Sequence, residues 1–138
     1  MRSLPNIKYQ YYWSSNFSID WFTFIDTRHE QAAVDMANAW GRIKNKPGIS
    51  MFTTPGHANA IPGLTLAHQQ LSPVINISGC ADSNLLGMGA PQEIDQVGMA
   101  KPVTKRSSMI QNGNLLVSEL ESSFQASMSD RRGPTHLT

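Results

Sequence analysis

Glu30 occupies a position from which a carboxyl group could take part in acid–base chemistry. It follows Arg28 and His29, shortly after an apolar run at residues 21–25 and directly before a stretch with helical periodicity. A carboxyl group mounted where a strand becomes a helix is held rigidly and can share a proton with a bound molecule. A second interpretation stays open, in which Glu30 is an exposed first-turn residue that stabilises its own helix through the helix dipole.

A second segment that could contact a ligand lies between residues 53 and 59. Pro55 and Gly56 form a turn there, and the missing Cβ of glycine would let another molecule approach the backbone closely. The same two residues are equally compatible with an ordinary turn. Asn59 is expected to cap the helix that follows, or else to contact a ligand. His57 belongs to the same segment.

The remaining chemistry-bearing residues fit neither a metal site nor a nucleophile. The chain has four histidines and one cysteine and lacks a His-Glu-x-x-His phrase, so no metal ligands are predicted. The Gly87-Met88-Gly89 phrase is too short for a dinucleotide fingerprint. Cys80 is expected to be a structural thiol, and as the single cysteine it excludes an internal disulfide.

Apolar periodicity places these residues on alternating strands and helices. The pattern predicts strands at residues 21–25, 49–53 and 74–77, a short strand within 105–110 and the start of another at 135–138. It predicts helices over 57–70, from Gln92 onward, and over 114–128, where Leu116, Leu120, Phe124 and Met128 share a face. An earlier helix, closed by Asn45 and Pro47-Gly48, is predicted from the spacing of Ala33, Met36, Ala37, Trp40 and Ile43.

Strands that alternate with helices predict an α/β fold, a three-layer domain with a mostly parallel sheet flanked by helices. In such sheets, ligands bind at the carboxyl ends of the strands. Three loops should share that edge, at residues 28–30, 53–59 and 79–92. Any site is therefore expected to be built from these loops, while Met36, Met51 and Met109 are expected to fill the core.

Seven short phrases occur in order along the chain. They are Arg28-His29-Glu30-Gln31-Ala32-Ala33, Lys46-Pro47-Gly48, residues 53–61, residues 72–79, residues 89–95, residues 101–105 and Arg132-Gly133-Pro134. Their order and spacing resemble the N-terminal, pyrimidine-binding domain of thiamine-diphosphate-dependent enzymes. The resemblance is to the group that contains acetolactate synthase, oxalyl-CoA decarboxylase and 2-hydroxyacyl-CoA lyase.

The chain departs from this family pattern in three places. Thr54 stands where the first glycine of the family's Gly-Pro-Gly loop is usual, and Pro91 replaces the aromatic residue of its Phe-Gln-Glu-x-Asp loop. The family also begins with another helix and strand, which residues 1–21 do not resemble. We therefore expect an atypical segment at 1–21 and a partial pyrimidine-binding domain at 22–138 that lacks or replaces the first helix–strand unit.

The resemblance implies thiamine diphosphate as the cofactor and Glu30 as the catalytic residue. In the family, a carboxyl group hydrogen-bonded to N1′ of the aminopyrimidine shares a proton with that nitrogen, and Glu30 matches this group. The further candidates are cofactor contacts at Pro55, Gly56 and Asn59, and substrate-side residues at His57 and Gln92. Magnesium and the diphosphate are expected on a separate domain of a partner subunit or companion chain, within a homo-oligomer.

Composition limits the other classes of function. The net charge of +1, from eleven Lys and Arg against ten Asp and Glu, gives no electrostatic basis for binding nucleic acid or an anionic membrane. No apolar run approaches the ~20 residues that a membrane span needs. Tyr9, Tyr11, Tyr12 and Trp13 stand where a secretory signal would be apolar, so a cytoplasmic location is expected.

Two functions follow from these observations. The first is aminopyrimidine binding as the N-terminal domain of an acetolactate-synthase-like carboligase or decarboxylase, inactive without the diphosphate-binding domain. The second is a non-catalytic interaction module or truncated fragment of such an enzyme, suggested by the missing first unit.

Overall fold

The computed structural model describes residues 24–138, and within that range helices alternate with strands. The helices are α1 (Glu30–Lys44), α2 (Thr54–Gln69), α3 (Gln96–Ala100) and α4 (Leu116–Met128). The strands are β1 (Gly48–Phe52), β2 (Val74–Ser78), β3 (Arg106–Ser108) and β4 (Thr135–Leu137), and two 3-10 turns cover Lys101–Val103 and Gly113–Leu115.

The sheet is entirely parallel, with the strand order β1-β2-β4-β3. Gly48 of β1 lies against α1, whereas Thr135 of β4 hydrogen-bonds to the Ser123 carbonyl of α4 from the other face of the sheet. Helices thus cover both faces, and the predicted α/β fold with a parallel sheet is confirmed.

α1 is held so close to the sheet that small residues make the contact. A Cβ on Gly48 would lie 2.0 Å from the carbonyl oxygen of Ala37, and one on Gly41 would lie 2.5 Å from that of Pro73. The buried residues of the helix are accordingly Val34, Ala37, Asn38 and Gly41. The predicted end is confirmed, because Asn45 adopts the left-handed conformation with φ 58°.

The large apolar residues of α1 therefore face away from the core, and the predicted apolar face is wrong except at Ala37. Met36 is 45% exposed, Trp40 46% and Ile43 78%. Met51 on β1 is also half exposed, so the prediction that Met36 and Met51 fill the core is wrong. α4 behaves similarly: Ser123 and Ser127 are buried while Leu116 and Phe124 are exposed.

The apolar core lies between α1, α2 and β2. Val34, Ala60, Leu64, Ala67 and Val74 form it together with Ala37, and the half-buried Phe52, Ile61 and Val103 pack against it. α1 and α2 approach closely, because a Cβ on Gly63 would lie 2.8 Å from the Cβ of Val34.

α2 begins three residues earlier than predicted, at Thr54 instead of His57. Pro55 fits its first turn, where a missing backbone N–H costs no helical hydrogen bond. The helix continues through Pro62, which is exposed.

Two other predicted elements differ from the structure. Phe24 and Ile25 lie in no strand and are 60% and 67% exposed, so the predicted buried strand at residues 21–25 is wrong for this described part, and residues 21–23 lie outside the described range. The third helix begins at Gln96 and not near Gln92, which adopts φ 65° in a turn. Between residues 24 and 138, no helix is long and apolar enough to cross a membrane.

Candidate functional site

Glu30 is the first residue of α1, and its half-buried side chain is directed toward α2. His29 caps the helix, because its Nδ1 accepts a hydrogen bond from the backbone N–H of Gln31 at 3.2 Å. The Oε2 atom of Glu30 accepts a hydrogen bond from Nδ2 of Asn59 at 3.2 Å. Glu30 is thus mounted on the first turn of α1, but Phe24 and Ile25 form no strand before it, so the predicted strand-to-helix junction is not found in the described residues.

Gly56 lies directly against the same carboxyl group. A Cβ built on Gly56 would meet Oε1 of Glu30 at 2.8 Å and its Cγ at 3.0 Å. Glycine therefore permits a close approach here, but the group that approaches is a carboxylate of the chain itself. The structure brings together Glu30, Gly56 and Asn59, three of the predicted site residues.

Asn59 does not cap α2, contrary to one of its two interpretations. The N-cap of α2 is Thr53, and Asn59 lies inside the helix, on its second turn. Its amide group faces Glu30 because the second turn of α2 crosses the first turn of α1. Pro55 is exposed at the start of α2 and shapes this turn.

Glu30 is one of the residues that line a large open groove of about 690 Å³. The groove follows β1, which is an edge strand of the sheet, and its walls come from α1 and residues 24–29. Exposed apolar side chains dominate this lining: Phe24, Ile25, Met36, Trp40, Ile49 and Met51. A planar apolar ring could therefore be accommodated next to a carboxyl group.

His57, predicted on the substrate side, does not fit that role because its side chain is fully buried. Its ring stacks on that of His136, with centroids 4.1 Å apart and an interplanar angle of 24°. Its Nδ1 is 3.0 Å from Nδ2 of Asn76. The imidazole is therefore part of the interior.

The histidine pair belongs to a polar row that crosses the sheet. Ser50, Asn76, His136 and Ser107 are register partners on β1, β2, β4 and β3. Ser50 donates to Asn76 at 2.9 Å, and the two ring nitrogens of His136 are each 2.8 Å from a serine hydroxyl, of Ser78 and of Ser107. No sequence pattern predicted this row.

Burial favours the neutral form of both histidines. Burial lowers the pKa of His136 to about 3, with a smaller contribution from the neighbouring charge of His57. Burial also lowers the pKa of His57, an effect that the backbone of Gln96 partly opposes. Two neutral rings can stack at this distance without charge repulsion.

Gln92 is not brought into the Glu30 cluster. It is exposed in a turn, and its side chain makes no hydrogen bond to the described residues. The neighbouring Glu93 organises this loop instead, because its carboxylate accepts hydrogen bonds from the backbone N–H groups of Gly87 and Ala90.

Sequence reasoning missed a second glutamine, Gln96. Its side chain is 2% exposed, and Nε2 donates to the carbonyl of Gly79 at 2.7 Å and to the hydroxyl of Thr138 at 3.1 Å. It lines a second cavity of about 320 Å³ with the exposed Cys80. The sequence shows that Gln96 follows Asp95, the N-cap of α3. No spacing pattern in the sequence predicts that the side chain of Gln96 is buried.

Within residues 24–138, no group of three or more His, Cys, Asp and Glu side chains is arranged to hold a metal ion. What the site offers chemically is thus one carboxylate with a fixed orientation, beside an apolar groove.

Comparison with known proteins agrees with the resemblance in the sequence. The family described as "Thiamine pyrophosphate enzyme, N-terminal TPP binding domain" matches residues 12–99. That range begins ten residues before residue 22, the start that we expected for the domain. It contains Glu30, Gly56, Asn59 and Gln92.

Several relatives are acetolactate synthase large subunits. The chain is 40% identical to that of Haemophilus influenzae over 108 residues, which are 78% of this chain and 19% of the relative. It is 37% identical over 108 residues to isozyme 3 of Escherichia coli, again 78% and 19%. A probable large subunit of Methanococcus aeolicus is 35% identical over 112 residues, 80% and 19%. The chain thus spans about a fifth of the length of these relatives.

Proposed function

This chain belongs to the family of N-terminal TPP-binding domains of thiamine pyrophosphate enzymes, and from that premise we propose that it binds the aminopyrimidine ring of thiamine diphosphate through Glu30. The observation that carries the proposal is the contact of Glu30 with both Gly56 and Asn59. Residues predicted from two separate phrases, Glu30 from one and Gly56 and Asn59 from the other, meet at one carboxyl group.

The chemistry of these residues fits an aminopyrimidine ring. Asn59 engages Oε2 of Glu30, while Oε1 accepts no hydrogen bond from the described residues and is available to a ring nitrogen. The groove beside the carboxyl group is lined by apolar side chains that can pack on a flat ring. Pro55 and Gly56 keep side-chain bulk away from this contact.

Each residue then has a defined task. Glu30 holds, at Oε1, the proton that it shares with the ring nitrogen N1′, and Asn59 fixes the carboxyl plane through Oε2. When bound, thiamine diphosphate supplies the reactive carbon for carbon–carbon bond cleavage or formation. The groove is open in the isolated chain, so the partner's diphosphate-binding domain would have to cover it to exclude water from the shared proton and strengthen the hydrogen bond.

The partners form the wider part of the proposal. A diphosphate-binding domain, on a partner subunit or companion chain, would hold the diphosphate and Mg²⁺. The assembly would act as an acetolactate-synthase-like carboligase or decarboxylase in the cytoplasm, as a homo-oligomer. The names of the relatives support this reaction class. Gln92, exposed in the loop after β2, is kept as the substrate-side residue, whereas the buried His57 is not.

Calorimetry tests the proposal. Thiamine diphosphate and Mg²⁺ are titrated into the chain, into a separately expressed diphosphate-binding domain of a relative, and into their mixture. We expect measurable binding only in the mixture, and a loss of at least about tenfold in affinity for Glu30→Gln, since a neutral amide cannot replace a charge-assisted bond. Glu121→Gln, on the exposed face of α4, is the matched control. Equal affinities for the two variants, or tight metal-dependent binding by the chain alone, would contradict the proposal.

A second candidate function is a non-catalytic interaction module. The exposed apolar side chains along β1 favour it, because soluble monomers rarely leave such a surface uncovered. A thermal melt followed by circular dichroism separates the two candidates. A cooperative transition supports the cofactor-binding domain, and a non-cooperative transition supports the module or fragment.

A further inference from the structure

Thr54 links the start of α2 to the end of β2. Its side chain is buried, and Oγ1 donates a hydrogen bond to the carbonyl oxygen of Gly79 at 3.1 Å. Thr54 stands where the family's loop usually has its first glycine, and glycine could not make this bond. The presence of Thr54 in place of the family's usual glycine therefore adds a hydrogen bond to Gly79.

Two side chains tie the start of α2 to the sheet. Its N-cap, Thr53, makes no side-chain capping bond, and Pro55 has no backbone N–H to donate. The backbone N–H of His57 donates to the carbonyl of Thr53 at 3.2 Å, and the His57 ring, 3.0 Å from Nδ2 of Asn76 on β2, holds the end of the first turn. The hydroxyl of Thr54 holds its beginning.

The carbonyl of Gly79 is a well-fixed point of attachment. Gln96 Nε2 donates to it at 2.7 Å and Thr138 Oγ1 lies 3.4 Å away. The backbone N–H of Gly79 donates to the carbonyl of Phe52 at 2.9 Å, which joins the ends of β2 and β1. A group that is hydrogen-bonded to this carbonyl is therefore held in a fixed position relative to both β1 and β2.

From these contacts we infer that Thr54 is a positioning residue, whose hydroxyl holds Gly56 and Asn59 in place against Glu30. Gly56 follows two residues after Thr54, and its backbone leaves no spare room beside the carboxyl group. A displacement of the first turn by a few tenths of an ångström would change that contact and the Asn59–Glu30 hydrogen bond. The inference deepens the proposed function and rests on it for its significance.

The test uses nuclear magnetic resonance of the full chain without thiamine diphosphate, so that its outcome is independent of cofactor binding. Thr54→Val keeps the shape of the side chain and removes the hydroxyl, and Thr54→Ser keeps the hydroxyl. We expect T54V to shift the side-chain amide signals of Asn59 toward their positions in Glu30→Ala. The His57 amide should exchange roughly fivefold faster with solvent, the size expected for one lost hydrogen bond. T54S should restore both values.

Thr138→Val is the control, because it removes another hydroxyl near the same carbonyl from β4, and it should leave the Asn59 signals unchanged. Unshifted Asn59 signals in T54V, failure of T54S to restore them, or an equal effect of T138V would each overturn the inference. If T54V does not melt cooperatively, Thr54→Ala replaces it under the same criteria. A later titration with thiamine diphosphate and the diphosphate-binding domain then tests the proposed function separately.

Discussion

The side-chain amide of Asn59 donates to the carboxylate of Glu30 at 3.2 Å across a sequence separation of 29 residues. This hydrogen bond joins the first turn of α1 to the second turn of α2. Together with the close contact of Gly56, it fixes the direction of the carboxyl group.

Removing the amide should therefore weaken cofactor binding more than it weakens the fold. For Asn59→Ala we expect about a fivefold loss in the affinity for thiamine diphosphate, measured by calorimetry with the diphosphate-binding domain, since one hydrogen bond to a charged group is lost from an exposed pair. The midpoint of thermal unfolding should change little because Asn59 is exposed. Gln125→Ala, also exposed on a helix, is the control; an unchanged affinity for N59A would contradict the role assigned to it.

Substitution of Gly56 should lower the affinity for thiamine diphosphate without lowering the stability of the fold. In Gly56→Ala the new methyl group would lie 2.8 Å from Oε1 of Glu30, so the carboxyl group must move. The flexible end of a glutamate moves at little cost, and alanine is favoured over glycine in a helix by up to ~1 kcal/mol. We expect a midpoint of unfolding equal to or above that of the unmodified chain, together with at least about a tenfold loss in affinity for thiamine diphosphate.

The control for this variant is Gly113→Ala, because nothing lies within 4 Å of a Cβ at that position. It should bind normally. A G56A chain that keeps its affinity would show that the carboxyl group does not need its present position.

The stacked histidines should make stability depend on pH. Their pKa values are lowered in the folded chain, that of His136 to about 3, while the unfolded chain titrates near 6.5. The unfolded state therefore binds more protons below about pH 6.5, and stability is lost as the pH falls from there toward 3. Urea unfolding at several pH values measures this dependence, whose slope for one histidine is at most ~1.4 kcal/mol per pH unit.

His136→Gln should reduce this slope, although the variant will also be less stable at neutral pH because a buried hydrogen-bonded residue is replaced. The comparison concerns the slopes and not the absolute stabilities. Identical slopes with and without His136 would mean that another group causes the acid sensitivity.

We expect the isolated chain to self-associate, because β1 lies at the edge of the described sheet. Ile49 and Met51 are each 52% exposed on a strand whose outer side is unpaired within residues 24–138, and such edges pair with other chains. Met51→Lys should therefore reduce association in sedimentation velocity runs over a range of concentrations, with an unchanged circular dichroism spectrum. Val117→Lys, on the exposed surface of α4, introduces the same charge and should have less effect. Equal effects would indicate that charge alone controls solubility.

The proximity of Glu30, Gly56 and Asn59 was predicted from the sequence better than the packing around these residues. The parallel α/β arrangement followed from alternating periodicity, and the cluster of Glu30, Gly56 and Asn59 followed from phrases that resemble a family. Both are local signals: hydrophobic period and short motifs are encoded in neighbouring residues.

The rotation of α1 could not be predicted in this way. Its apolar pattern placed Met36, Trp40 and Ile43 on one face of the helix, but the contact between Ala37 and Gly48 requires small residues at the interface. Backbone-to-backbone approach is a tertiary effect, and it overrode the helical pattern. Val34 and Gly41, which the pattern did not select, are buried as a result.

The roles of His57 and Gln96 were missed for a related reason. A histidine near a ligand-binding edge and a histidine inside the protein look alike in a sequence, and only the stacking on His136 distinguishes them. Gln96 is buried because the ends of β2 and β4 meet above it. These contacts join residues that are far apart in the sequence, His57 with His136, and Gln96 with Gly79 and Thr138.

The polar row that crosses the sheet limits how the four strands can align. If β4 slipped by one residue against β2, His136 would move to the opposite face, and Ser78 and Ser107 would lose their hydrogen bonds to it. Each buried polar group left without a partner costs about 1–3 kcal/mol. An apolar row would tolerate such a slip far better, because its contacts are not directional. The polar row therefore favours a single register of the strands during folding.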